Sequence, residues 1–422
     1  MGITEWLAVV MIFVMLYGLI KRYETRLVLI GSGLILCLIS WNLVAGLDAF
    51  AKSMTNSSLV MAICGSMGFA FVAKYTNADR SLVHYLASPI RGLGIFLVPI
   101  CTIITFFVNI AIPSAAGCAA AVGSTLIPVM MRAGIKPAGA AAAVLAGTIG
   151  SYLSPGTSHN PYVADMAKMD VMDFIGFHAP YSLMIGAFGV VGTLIFCVLF
   201  GDHKGSGDAA VDQSKLQKND DFTPSPLLAL VPLIPITILV VGNLWVPFIK
   251  MGVAQAMVLG SVIALAIARC NPQTFTKEFF AGTGKGYADV MGIIIAAGVF
   301  AAGLRSAGLI DSFVQALKDS NEIARWGGSI GPFLMGVLTG SGDAATLAFN
   351  ETVTPHAQEF GMTIEGLGGL AFLAGAAGRT ASPLAGVTIL VSGIAMVSPM
   401  EVVKRTAVPM LLATIACAIL MV

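Results

Sequence analysis

Residues 145–157 read LAGTIGSYLSPGT, and residues 373–386 read LAGAAGRTASPLAG. At an offset of 228 residues, Leu145, Ala146, Gly147, Gly150, Ser154 and Pro155 fall on Leu373, Ala374, Gly375, Gly378, Ser382 and Pro383. Each stretch starts as an apolar helix and is then cut by Gly, Ser and Pro. Proline lacks the donor a helix needs, and serine offers the backbone competing hydrogen bonds. The same break is therefore written twice.

The surrounding chain decides what such a break means. Of 422 residues, 57% are hydrophobic and 11% charged, with a mean hydropathy of +0.89, whereas a soluble domain carries roughly 25% charged residues. Apolar runs at residues 3–20, 27–46, 181–200, 227–248 and 406–422 reach or approach the ~20 residues that carry a helix across the hydrocarbon core. The pattern predicts an all-α polytopic membrane protein with about ten spanning helices. A β-barrel would show alternating segments of roughly ten residues instead. A net charge of +1 leaves no basic face for nucleic acid, and lipid is the expected surrounding partner. The seven cysteines lie in apolar stretches without metal-ligand spacing and read as small core residues, so neither metal nor cofactor is expected. Glu5 stands where a cleaved leader would be basic, so the first helix is expected to be retained.

Residues 201–226, GDHKGSGDAAVDQSKLQKNDDFTPSP, read as a cytoplasmic linker between halves 1–200 and 227–422. With a one-residue slip, residues 107–128 also align over 335–355. Each half then holds a small-residue hairpin (about 92–132 and 327–360) followed by a broken helix (about 137–170 and 363–397). Lys and Arg of short loops stay cytoplasmic. Placing Lys52, Lys168, Lys250, Arg305, Lys318 and Arg325 outside and the other short-loop basic residues inside works only if the hairpins are re-entrant from opposite faces. The expected architecture is two inverted repeats, with an amphipathic surface segment in each (77–91 and 305–325) and both termini periplasmic.

Backbone at membrane depth needs hydrogen bonds, so interruptions there survive only against protein or a water-lined cavity. Interrupted helices at corresponding places in inverted repeats point to a secondary transporter, with substrate held near the half-helix ends. Half-helix N-termini suit a carboxylate. Candidate substrate contacts are Asn109 and Ser114 at the first hairpin, Ser154, Thr157, Ser158 and Asn160 at the first break, Ser341 at the second hairpin, and Arg379, Thr380 and Ser382 at the second break. Arg379 is the sharpest of them, because an arginine at membrane depth is costly and its planar fork fits a carboxylate. His159 and Asp343 are the candidates for coupling a proton or cation. Each has a plainer reading. Arg379 could pair with Asp343 or Glu351, His159 could cap a half-helix, the hydroxyls could bond back to the turn before them, and Ala115, Ala116 and Gly117 could serve close packing. His84, His178, His203 and His356 are set in loops or interfacial segments, without a role.

Two motifs are set aside. GSGD at residues 340–343 fits an intramembrane aspartyl protease, whose chemistry needs a second aspartate; the nearest candidate follows Tyr287-Ala288 as Asp289. GTGKG at residues 282–286 lacks the length and hydroxyl of a phosphate loop and is read as a loop. A channel would need a continuous polar pore.

The stretches IPSAAGCAAAVGSTLIPVMMRAG, LAGTIGSYLSPGTSHN, TGSGDAATLAFNETVTP and GRTASPLAG resemble the anaerobic C4-dicarboxylate carrier C family of the ion transporter superfamily, over essentially the whole chain. The resemblance implies a homodimer in the bacterial inner membrane, with a static scaffold and an elevator-like transport domain carrying succinate, fumarate or malate. The sodium-coupled dicarboxylate branch is similar in having Ser-Asn-Thr at both hairpin tips. Here the tips read Pro113-Ser114-Ala115 and Gly340-Ser341-Gly342, which favours proton coupling or exchange over sodium. Another organic-anion carrier of the same superfamily is the alternative.

Overall fold

The computed structural model describes residues 2–21, 23–87, 94–204, 223–310, 312 and 321–421. Most of the expected linker, the end of the first surface segment, nine of the 21 residues of the second, and the first two residues of the first hairpin lie outside them. Among the described residues every regular element is helical. In chain order these are α1 Ile3–Ile20, α2 Thr25–Ile39, α3 Leu43–Met54, α4 Ser57–Tyr75, α5 Ala78–Ala87, α6 Leu97–Ala111, α7 Ala115–Arg132, α8 Pro137–Gly147, α9 His159–Ala167 and α10 Val171–Leu199. After the central segment come α11 Pro226–Leu230, α12 Ile234–Leu244, α13 Val253–Ala268, α14 Pro272–Lys285, α15 Gly292–Ser306, α16 Asn321–Thr339, α17 Gly342–Thr352, α18 Ile364–Thr380, α19 Gly386–Ala395, α20 Pro399–Val403 and α21 Ala407–Leu420.

Five described helical stretches are long and apolar enough to cross a membrane, or six when the bent pair α3–α4 counts as one span, and shorter apolar helices such as α2, α13 and α21 accompany them. This is a multi-pass helical membrane protein. GTGKG is not a loop: α14 runs through it into a π-helical turn, Gly286–Met291, and on into α15. The π turn leaves carbonyls short of helical donors, and Arg26 Nη1 donates to Ala288 O at 2.7 Å.

Between α8 and α9 the chain forms a 3-10 turn, Gly150–Leu153, then an open segment. Between α18 and α19 only residues 381–385 separate the helices. The local geometry recurs 228 residues on. Ser154 N donates to Ser151 O and Ser382 N to Arg379 O, while Met169 N donates to Ala164 O and Val397 N to Ser392 O. The second half-helix ends each time on a left-handed residue, Lys168 (φ 58°) and Met396 (φ 55°). Gly150 and Gly378 are required by close approach, since a Cβ would lie 1.9 Å from Phe106 O and 2.0 Å from Phe333 O respectively. Gly340, at φ +73°, turns the second hairpin tip and seats it on Leu384 and Ala385, as Pro113 of the first tip seats on Gly156.

The central segment is less free than its composition suggests. Asp202, expected in the polar linker, is fully buried. Its carboxylate takes Nε and Nη2 of Arg405 at 2.6 and 2.8 Å, and its carbonyl accepts from Lys136 N at 2.8 Å.

Candidate functional site

Several predicted site residues fasten the backbone. Asn109, fully buried on α6, donates to Ile112 O at 2.9 Å and accepts from Ser151 N at 2.7 Å, which ties the first hairpin turn to the first break. Asn160, also fully buried, donates to Tyr152 O and Ser154 O at 2.8 Å each, closing two carbonyls that the break deprives of helical donors. Its own oxygen faces His178 Nε2 at 3.0 Å, and His178 Nδ1 faces Ser182 Oγ at 2.9 Å. Because the Asn160 amide nitrogen already serves two carbonyls, its oxygen must accept. His178 therefore carries its proton on Nε2, and Ser182 donates to Nδ1. His178 is thus a buried member of α10 rather than an interfacial residue.

Thr157 Oγ1 donates to Ser151 O, Thr380 Oγ1 to Ala376 O, and Ser382 Oγ to Val337 O. Ser154 Oγ accepts from Gly156 N. Ser114 caps α7 through Gly117 N and is exposed. Ser158 and Ser341 occupy the N-cap positions of α9 and α17 without a side-chain cap bond, and Ala385 leaves α19 uncapped in the same way. Three helix N-termini therefore lack a side-chain cap and keep the positive partial charge of a helix start.

A polar cluster forms where the first break, the second break and the second hairpin tip meet. Arg379 Nη2 reaches across to Thr148 O, at the end of α8, at 3.2 Å. His159 Nε2, on the first residue of α9, lies 3.9 Å from Oδ1 of Asp343 in the first turn of α17. Asp343 is exposed, whereas the His159 ring is buried and stacks on Phe372 with centroids 4.8 Å apart. The edge of Tyr152 meets the same Phe372 at 5.2 Å. Arg379 pairs with neither Asp343 nor Glu351; Glu351 instead accepts from the Tyr162 hydroxyl. Asp289 pairs with Lys285 and Asp343 faces His159, so the two aspartates of the protease motif have different partners. The sequence pattern assigns Tyr152 and Phe372 no role and sets His178 in a loop or interfacial segment. Tyr152 lay inside the quoted motif, while the other two carried no local signal.

A multi-pass helical protein with interrupted helices meeting at a polar centre belongs to the class of membrane transporters. The family model described as the C4-dicarboxylate anaerobic carrier matches residues 52–422, and the chain belongs to that family. A Haemophilus influenzae relative whose name describes an uncharacterized transporter is 48% identical over 279 residues, 64% of this chain and 99% of its own. The anaerobic C4-dicarboxylate transporter DcuC of Escherichia coli K12 is 29% identical over 369 residues, 84% of this chain and 77% of its own. The Alcanivorax borkumensis YdaH transporter, at 14% identity, shares the fold with a TM-score of 0.62, covering 89% of this chain and 86% of that one.

Proposed function

We propose that the protein is a secondary carrier of C4-dicarboxylates such as succinate, fumarate and malate, working in the bacterial inner membrane as an elevator of inverted repeats, most simply as a homodimer. One observation carries the reading: Arg379 of the second break bonds the Thr148 carbonyl of the first, beside three uncapped helix N-termini. A cationic side chain beside uncapped helix N-termini suits a carboxylate, which supports the reading. The family match and the name of the Escherichia coli relative support the choice of dicarboxylate. Uptake of labelled succinate into proteoliposomes tests it, and absence of any saturable C4-dicarboxylate uptake would overturn it.

Coupling follows from the same groups. Asp343 faces His159, the charges of Asp343 and Arg379 act on both His159 and Tyr152, and neither hairpin tip carries Ser-Asn-Thr. Proton coupling or exchange is therefore the expected mode. Asp343→Asn should alter the pH dependence of net uptake more than it alters homo-exchange, and replacing sodium by choline should leave the wild-type rate nearly unchanged. A steep, saturable sodium requirement would instead mean that break carbonyls complete a cation site.

The opposite entry of the two hairpins is tested by cysteine labelling in a cysteine-free background. Cysteines at Arg132 and Gly361 should react from the cytoplasmic and periplasmic sides respectively. Reaction of both from one side would remove the inverted arrangement and the periplasmic placement of the termini that goes with it.

A further inference from the structure

We propose that Tyr152 is a substrate-binding residue at this site, its phenol donating a hydrogen bond to a carboxylate of the transported anion beside Arg379 and His159. The inference rests on the reading of the cluster as the substrate site. Tyr152 is 1% exposed and His159 3% exposed. Tyr152 Oη, His159 Nε2 and Arg379 Nε are all buried without a hydrogen-bond partner. Buried polar atoms are almost always satisfied, because each unmade hydrogen bond forfeits the solvation the group had in water. Isolated unpartnered hydroxyls occur elsewhere in the core, those of Ser66 and Thr193 among them, but three such atoms gathered in one neighbourhood mark a place built for a ligand.

The three belong together. Tyr152 and His159 pack on the same Phe372 ring, and the charges of Arg379 and Asp343 act on both. Their chemistry also agrees. Arg379 Nε–H can only donate, Tyr152 Oη–H can donate, and His159 donates in the tautomer that turns its Nε2 proton toward Asp343. Donors of this kind in one neighbourhood, one of them a permanent cation, suit an anion with several acceptor lone pairs, which a carboxylate supplies. A neutral hydroxyl would satisfy one of them. Tyr152 stands one residue beyond Ser151, the position that coincides with Arg379 at the 228-residue offset, so the two breaks bring different donors to one ligand.

Tyr152→Phe keeps the ring on Phe372 and deletes only the hydroxyl. A hydroxyl serving a ligand has no partner to lose in the ligand-free protein, so the melting temperature without substrate should stay the same or rise; a fall would assign the hydroxyl to the fold and overturn the proposal. In proteoliposomes the KM for succinate and for malate should rise together by roughly tenfold or more, with kcat little changed, as loss of one hydrogen bond to a charged group predicts. A rise confined to malate would assign the phenol to the substrate hydroxyl, and an unchanged KM for both would remove it from the site; either result overturns the proposal. If the wild type transports no C4-dicarboxylate, the transport reading fails separately. Thermal protection of the purified protein by succinate, malate, citrate and butyrate then decides for Tyr152. A carboxylate that protects the wild type distinctly more than Tyr152→Phe sustains the proposal. Equal protection, or none from any of the four, overturns it.

Discussion

Arg379→Lys is expected to lower kcat/KM for succinate by about ten- to a hundredfold while the protein still inserts and folds. The guanidinium spends Nη2 on Thr148 O at 3.2 Å and leaves Nε buried without a partner. Nη2 helps hold the breaks together, and the Nε–H beside it is left free for a carboxylate. Lysine has a single nitrogen on a flexible stem, so it can serve one of these roles at a time and cannot hold a carboxylate bidentately. Charge is preserved, which separates loss of geometry from loss of electrostatic attraction. Were the arginine only a staple between the breaks, Arg379→Lys would lower the melting temperature and leave the KM of the surviving protein at the wild-type value. Uptake kinetics and a melting curve on the same preparation distinguish the two, and unchanged kinetics would take Arg379 out of the site.

What could be read from the chain and what could not divides along the range of the forces involved. The helical, multi-pass class follows from composition, which needs no tertiary contact to act. The interruptions after Gly147 and Thr380 are local in the same sense, because Pro155, Gly156 and Pro383 act on their own backbone. The work of individual polar side chains is not local. Ser, Asn and Thr at the breaks look alike in sequence, yet Asn109 and Asn160 spend their amides on backbone carbonyls and N–H groups left over by the interruptions, while Ser341 leaves its helix uncapped. His178 meets Asn160 across 18 residues of chain and a change of helix, a separation that no helical period encodes. Phe372 looks like any core aromatic until His159 is found lying on its face.

Asp202 is the sharpest case of this kind, and its removal is expected to cost about 3–5 kcal/mol of stability, because breaking a buried ion pair strands the partner charge. Composition assigns Asp202 to a solvated linker, but it is fully buried, and Arg405, 5% exposed, grips it with two nitrogens from the other half of the chain, over the Phe200 ring. The carboxylate also lies against the first turn of α8, where a Cβ on Gly139 would come within 2.7 Å of Oδ2. Negative charge is favoured at that end of a helix. The pair thereby fixes the start of the helix whose other end, at Thr148, receives Arg379. Asp202→Ala and Arg405→Leu should each lower the melting temperature in detergent steeply. Combined, they should cost distinctly less than the sum of the two, since the double variant buries no unpaired charge. Additive losses would mean that the two residues stabilise the fold independently, and a wild-type melting temperature in either single variant would mean that water reaches the pair and screens it.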